Sequence, residues 1–253
     1  MLKKVFLFFL TALLCKGAAL AGPYDAFDYV LNRTASEKTA RKHLDAFTKD
    51  IGQAISGGSY GIGGNPGISG SNLNLSLKMS YQEVSGSNII VKTSGNSAIY
   101  YPVAQAELEF IKRCEAIARF SYFNGSALFG GGLRYKIVDG AEKIYMPSVS
   151  VQSVYNYLVC DENESGKFNV WNLKTGTTAY FGSIPHIQPY VFLTYDITSL
   201  KPLSSSYSYL SSRENGFGCG AGANINMHPL NITVSLSVYD KQSNISFGAY
   251  IGI

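Results

Sequence analysis

The sequence has few charged residues, and this scarcity excludes one class of protein. Lys, Arg, Asp and Glu make up 15% of the 253 residues. Removal of residues 1–21 would take Lys3, Lys4 and Lys16 from the 21 basic residues, which leaves 18 basic against 17 acidic side chains. A nearly neutral chain without a basic stripe gives no signal for nucleic-acid binding.

The sequence also has few histidines and cysteines, which often build metal sites and nucleophilic centres. The three histidines, at positions 43, 186 and 228, are far apart and form no H-E-x-x-H motif, and the four cysteines form no C-x-x-C pair. The sequence therefore predicts no metal, no cofactor and no enzymatic activity.

Long apolar runs are missing beyond the N-terminal region. The run at 5–14 follows Lys3 and Lys4 and leads to Ala19-Leu20-Ala21. This is the form of a cleavable signal peptide, so we predict export and cleavage after Ala21. No later run approaches the roughly 20 apolar residues that a spanning helix needs. Any membrane span would have to be made of strands.

The sequence does contain alternation with a period of two. From Leu73 to Tyr81 every odd residue is apolar and every even residue is polar, as in a strand with one apolar and one polar face. Similar alternation returns up to Ile253, broken by turn signals such as Asn124-Gly125. We predict ten strands, with an irregular connection at 102–113: 72–84, 88–101, 114–123, 126–138, 148–159, 168–182, 187–198, 216–227, 230–240 and 243–253.

A helical period precedes the first strand. Between residues 35 and 55, one face carries Ala40, Leu44, Phe47, Ile51 and Ile55, which predicts an amphipathic helix that Ser36 can cap. A Gly-rich connection follows. This helix could pack beneath the strands, fill a lumen that they enclose, or lie on a membrane surface. We therefore divide the chain into a signal peptide (1–21), a helical segment with its connection (22–71) and the strand region (72–253).

Ten alternating strands predict an all-β fold, an antiparallel transmembrane β-barrel with lipid outside and polar side chains inside. An even strand number places the start of the first strand and the end of the last strand on the same, periplasmic side. Because a ten-stranded barrel is narrow, we expect inward charges to pair and fill the lumen, with a selective small pore as the alternative. The lumen-facing candidates are Lys78, Glu115, Arg119, Arg134, Lys136 and Asp196, and we expect Glu115 to pair with Arg119 or Arg134.

The predicted topology places Cys160 and Cys219 on the same outer side of the barrel. A disulfide between them is one hypothesis, and three isolated small apolar cysteines after residue 21 are the other.

The last predicted strand carries Ile245, Phe247, Ala249, Ile251 and Ile253 on one face. It resembles the C-terminal signal of bacterial outer-membrane proteins, which the barrel assembly machinery recognises by strand addition. That signal usually ends in Phe, whereas this strand ends in Ile253.

Taken with the helix, the Gly-rich connection and the strand at Leu73, the segments 102–105 and 189–190 complete a resemblance. The chain resembles a family of bacterial outer-membrane barrels that is distantly similar to long-chain fatty-acid transporters. The resemblance implies an N-terminal segment that is periplasmic or plugs the barrel, and uptake of hydrophobic compounds. It carries over no binding residue.

The main hypothesis is a monomeric barrel of the bacterial outer membrane that acts as a narrow channel, an uptake route or a structural component. Its expected partners are outer-membrane lipid and the assembly machinery, and its small-molecule cargo is not specified by the sequence. A second hypothesis is a secreted soluble β-sandwich that binds a cell-surface ligand, and a third is an outer-membrane enzyme. In a barrel the outward apolar residues face lipid on every strand, whereas in a sandwich they share one core.

Overall fold

A computed structural model describes residues 22–60, 73–140, 146–162, 166–182, 186–227, 230–240 and 242–252. The helices are α1 (Phe27–Asn32), α2 (Glu37–Ser56) and α3 (Ile89–Thr93). The strands are β1 (Leu73–Glu83), β2 (Ala98–Ile111), β3 (Cys114–Phe123), β4 (Ser126–Val138), β5 (Ser148–Glu162), β6 (Gly166–Tyr180), β7 (Ile187–Pro202), β8 (Ser212–Met227), β9 (Leu230–Tyr239) and β10 (Gln242–Gly252). Within these ranges, no helix has the length and apolarity needed to cross a membrane.

The ten strands form one closed antiparallel barrel. Each strand pairs with its neighbours in sequence, and β1 pairs with β10 from Asn74↔Gly252 to Gln82↔Asn244. This confirms the predicted all-β barrel of ten strands with an N-terminal helix. The β-sandwich hypothesis is wrong, because a single sheet closes on itself.

The predicted second strand was misplaced. Residues 88–101 were expected to form it, but Asn88 caps α3 by accepting a hydrogen bond from the Val91 amide at 3.2 Å. Strand β2 instead runs from Ala98 through the stretch that was expected to be irregular. Pro102 is tolerated there because pairing with β3 begins only at Ala104, so its missing N–H leaves no gap in that ladder.

The two faces of the wall differ as the alternation predicts. In β1, Ser76, Lys78, Ser80 and Gln82 point inward and are buried. Large apolar side chains are exposed on the outside of most strands, among them Leu108, Phe120, Phe129, Leu133, Val151, Val191, Leu193, Phe217, Val234, Leu236, Ile245 and Phe247. Lipid covers such a surface in a transmembrane barrel.

The height of the outer apolar band matches a membrane. In β5 the outward positions from Val149 to Val159 carry no charge. Ten residue steps of about 3.3 Å, tilted by about 40°, give a band of roughly 25 Å, as in membrane barrels. The charged outward residues Asp161, Lys167, Lys201 and Arg213 lie beyond one edge of this band.

The N-terminal helices close one end of the barrel, which we call the capped end. It is the end where β1 finishes at Glu83, and it includes the turn Asn124-Gly125 and the loop 203–211. The opposite end is where β1 begins, at Leu73. Helix α1 contacts α3 at the capped end, and α2 descends into the lumen and contacts β1, β2 and β5–β8.

An apolar core joins the helices to the inner wall near the capped end. Phe47 of α2 packs edge-on against Phe168 of β6, with ring centroids 5.4 Å apart, and Phe27 of α1 lies 4.6 Å from the same ring. The helix face predicted from the sequence, which includes Leu44 and Ile51, is fully buried in this core. The capped half of the lumen is therefore filled like a protein interior.

Candidate functional site

The end of helix α2 is held at mid-depth in the lumen by three side chains of the wall, Lys78, Arg119 and Gln152, which we call the carbonyl clamp. Ile55 lies in the last turn of α2, and residues 57–59 follow the helix directly. The last carbonyl groups of a helix have no partner within the helix and form the negative end of its dipole, so cationic donors suit this region. The donor–acceptor distances are 3.0 Å from Arg119 Nη1 to Ile55 O, 2.9 Å from Arg119 Nη2 to Gly57 O, 2.6 Å from Lys78 Nζ to Gly58 O and 3.1 Å from Gln152 Nε2 to Ser59 O.

Two glycines let the chain approach the wall this closely. A Cβ on Gly57 would overlap the Ser80 side chain, and Gly58 has a φ of +65°, a conformation that L side chains rarely adopt. The Gly-Gly pair thus ends α2 and brings the carbonyl groups of Ile55 and of residues 57–59 within reach of the clamp.

Arg134 is the centre of a buried ion network in the wall. Its Nη1 lies 2.8 Å from Glu107 Oε2 and 2.6 Å from Glu115 Oε2, and its Nε donates to Gln152 Oε1 at 3.0 Å. Lys136 Nζ lies 3.1 Å from Glu115 Oε1. Because Gln152 also belongs to the carbonyl clamp, the network orients one of the groups that hold the helix.

A second polar cluster lies on β6 and β7. The Nζ of Lys174 lies 3.7 Å from Asp196 Oδ2 and donates to the hydroxyl of Tyr239. Asn172 Nδ2 donates to Asp196 Oδ1 at 3.3 Å. Lys174 also lies over the ring of Tyr60, which is the last residue of the described range 22–60.

Asp50 joins α2 to the rim of the capped end. Its carboxylate accepts hydrogen bonds from Asn88 Nδ2 at 2.7 Å, Gln242 Nε2 at 2.8 Å and the Ser85 amide at 3.0 Å. Burial raises the pKa of the Asp50 carboxyl above its ordinary value, and these hydrogen bonds oppose that rise.

The six lumen-facing candidates fall into separate groups. Glu115, Arg134 and Lys136 share the ion network, so of the two arginines expected as partners of Glu115 it is Arg134 that pairs with it. Arg119 bonds instead to the helix carbonyls and to Asn156 Oδ1 at 2.8 Å. Lys78 lies in the clamp, 3.9 Å from Glu107. Asp196 belongs to the second cluster.

Two charged residues that are buried in the lumen, Glu107 and Lys174, are not among the candidates predicted from the sequence. Glu107 falls in the stretch that was expected to be irregular, so no inward face was assigned to it. Lys174 lies between Leu173 and Thr175 in a predicted strand, and the alternation alone places it on the same face as Asn172.

Of the two hypotheses for the cysteines, the disulfide between Cys160 and Cys219 is not formed. Cys160 lies on the lumen face of β5 and its thiol donates to the Gly166 carbonyl oxygen at 3.5 Å. Cys219 is exposed on the outer face of β8. The two residues are on opposite faces and three strand spacings apart, roughly 14 Å at about 4.8 Å per spacing, which no disulfide spans.

One pattern in the sequence matches a hydrolase motif without its structural context. Residues 57–61 read Gly-Gly-Ser-Tyr-Gly, which fits G-x-S-x-G, but Ser59 follows a helix, whereas a nucleophile elbow lies between a strand and a helix. The described histidines, His43 of α2 and His186 of the turn before β7, lie towards the two ends of the barrel. Among the residues that the structure describes, no group of three or more His, Cys, Asp or Glu could hold a metal ion.

A closed antiparallel barrel with an apolar outer band and an inserted helix has the architecture of a transmembrane β-barrel. No protein-family model and no curated protein matches the sequence.

Solved structures of three bacterial barrels are similar to this chain at low identity. Neisserial surface protein A has 9% identity and a TM-score of 0.33, with 72% of this chain and 98% of that one covered. The translocator domain of the autotransporter NalP from Neisseria meningitidis has 10% identity, a TM-score of 0.37 and coverages of 83% and 98%. The N-terminal β-barrel domain of Pseudomonas aeruginosa OprF has 14% identity, a TM-score of 0.32 and coverages of 73% and 99%. Similarity at this level does not bear on function, and the barrel rests on its own strand pairing.

Proposed function

We propose that this protein is a monomeric barrel of the bacterial outer membrane, exported by means of residues 1–21 and held closed by its own N-terminal helix. Its work is that of a narrow, gated channel. The carbonyl clamp carries the proposal, because Lys78, Arg119 and Gln152 fix the end of α2 across the lumen at mid-depth.

The lining of the lumen supports ions and small polar solutes as cargo. Below the apolar core, the described wall presents the Arg134 network and the Lys174 cluster. Such a lining solvates charged and polar species better than the hydrophobic compounds that the fatty-acid-transporter resemblance implies. Passage requires that the helix end leave the clamp, since it occupies the same space.

Release of the clamp tests this function. We expect Lys78→Ala combined with Arg119→Ala to raise the single-channel conductance of the mature protein in planar bilayers several-fold, because the chain at the end of α2 loses three of the four hydrogen bonds of the clamp. The native protein should conduct only in rare, brief openings.

Two further variants keep the test interpretable. Arg41→Ala removes an exposed arginine of the same helix, whose partner is Glu37 at 3.3 Å, and should leave the conductance unchanged. Arg119→Lys retains a cationic donor and should give an intermediate increase. Conductance equal to the native value in the clamp variant, with the barrel intact by its gel mobility, would refute a gating role for the helix.

A further inference from the structure

The N-terminal segment and the first strand begin at opposite ends of the barrel. A side chain on Gly22 would touch Asn124, in the β3–β4 turn of the capped end. Leu73, the first residue of β1, pairs with Leu108 near the opposite end. Between Gly22 and Leu73 the chain therefore crosses from one end of the barrel to the other.

The segment at the capped end is bound firmly to the loop 203–211. Asp28 Oδ2 accepts a hydrogen bond from Ser204 Oγ at 2.5 Å, and Asn32 Oδ1 accepts one from the Ser206 amide at 2.8 Å. The hydroxyl of Tyr207 donates to the Thr34 carbonyl oxygen at 2.9 Å. Because of these contacts and of the apolar core beneath them, the N-terminal segment is an integral part of the capped end.

The strand count assigns the two ends to the two sides of the membrane. Bacterial barrels with an even number of strands begin and end on the periplasmic side and carry their longer connections outside. Here β1 begins and β10 finishes at the same end, and the longest connection between strands, residues 84–97, lies at the capped end. The capped end is therefore the outer one.

We propose that the barrel passes its own N-terminal segment through its lumen and displays residues 22–36 on the cell surface. After export the N-terminus starts in the periplasm, so it reaches the capped end only by crossing the membrane inside the wall. Helix α2 then remains in the lumen and blocks it. This inference goes beyond the proposed gated channel. It rests on the proposed location in the outer membrane and does not require that the barrel conduct ions.

The experiment is cysteine labelling in intact cells with a maleimide on a polyethylene glycol chain too large for outer-membrane pores. Lys38→Cys, on exposed helix surface at the capped end, and Lys112→Cys, in the β2–β3 turn at the opposite end, are the matched positions. Both are made in a background with Cys114 and Cys219 replaced by alanine, and that background without an added cysteine supplies the blank.

Labelling of Lys38→Cys in intact cells, with Lys112→Cys labelled only after lysis, is the expected result. The reverse pattern would overturn the inference and place the N-terminal segment in the periplasm. A heat-dependent gel shift on each variant identifies misfolded protein. If the labelling is as expected but Lys78→Ala with Arg119→Ala conducts like the native protein, the gating proposal fails and surface display of the N-terminal segment stands.

Discussion

At the scale of single residues, closure of the lumen depends on cationic side chains of the wall. Their partners are main-chain oxygens at the end of α2 or carboxylate oxygens of other strands. Arg119 meets two main-chain carbonyl groups, whereas Arg134 meets two carboxylates. Each is almost completely buried, so each is stable only with its partners in place.

Arg134→Ala should destabilise the barrel strongly, because it leaves Glu107 and Glu115 buried without their common partner. Removal of one member of a buried ion pair costs about 3–5 kcal/mol. Urea unfolding in detergent micelles, followed by the fluorescence of the single tryptophan, Trp171, measures this loss.

The comparison variant for that measurement is again Arg41→Ala. Its ion pair with Glu37 is exposed, and such pairs contribute between about 0 and 1 kcal/mol. Equal losses for the two arginines would show that the Arg134 network adds nothing to stability.

The sequence could predict that five of the six candidate charges are buried in the lumen, because alternation alone assigns a face. It could not predict their partners. Arg119 bonds to main-chain atoms of α2, and main-chain carbonyl groups leave no trace in a residue pattern.

At the scale of elements, the strands were more predictable than the position of the helix. Turn signals and alternation located nine of the ten strands, and Asn88 as a helix cap explains the failure at 88–101. The helical period predicted the amphipathic face of α2 but left three possible places for the helix.

A signal for the lumen position is nevertheless present in β6. At mid-strand the apolar Leu173 points outward and the charged Lys174 points inward, but near the capped end Phe168 and Val170 point inward while Lys167 and Asn169 point outward. Near the capped end, therefore, the apolar side chains point inward and the polar ones outward, because here the inner face of the wall packs against the helices. Leu200 and Lys201 repeat this reversal in β7.

Gly52→Ala tests how tightly α2 fits the wall. Alanine favours an isolated helix over glycine by about 1 kcal/mol, but here the added Cβ would overlap the side chain of Thr198, which is β-branched and stiff. We therefore expect net destabilisation, seen as faster hydrogen exchange of α2 amides.

Thr198→Gly should restore slow exchange when combined with Gly52→Ala, since it removes the three atoms nearest to the new methyl group, all of which belong to the Thr198 side chain. Slower exchange in Gly52→Ala alone would mean that the helix does not press against β7.

At the scale of the whole molecule, all ten strands have two partners and no edge is left open. A barrel of this kind resists unfolding by detergent in the cold, because no strand can be peeled away alone.

The mature protein recovered from membranes in mild detergent should therefore migrate faster on a gel before boiling than after it. The compact form should be lost in a single step with temperature. Recovery of the protein in the soluble fraction, without any shift, would contradict both membrane residence and the functions built on it.

The pairing of β1 with β10 is a seam, and it sets an order of events. Before the seam closes, β10 has a free edge that can pair with a strand of the assembly machinery. After β10 pairs with β1, that edge is no longer available. After the seam closes, α2 can enter or leave the lumen only along the barrel axis, because no open edge remains beside it.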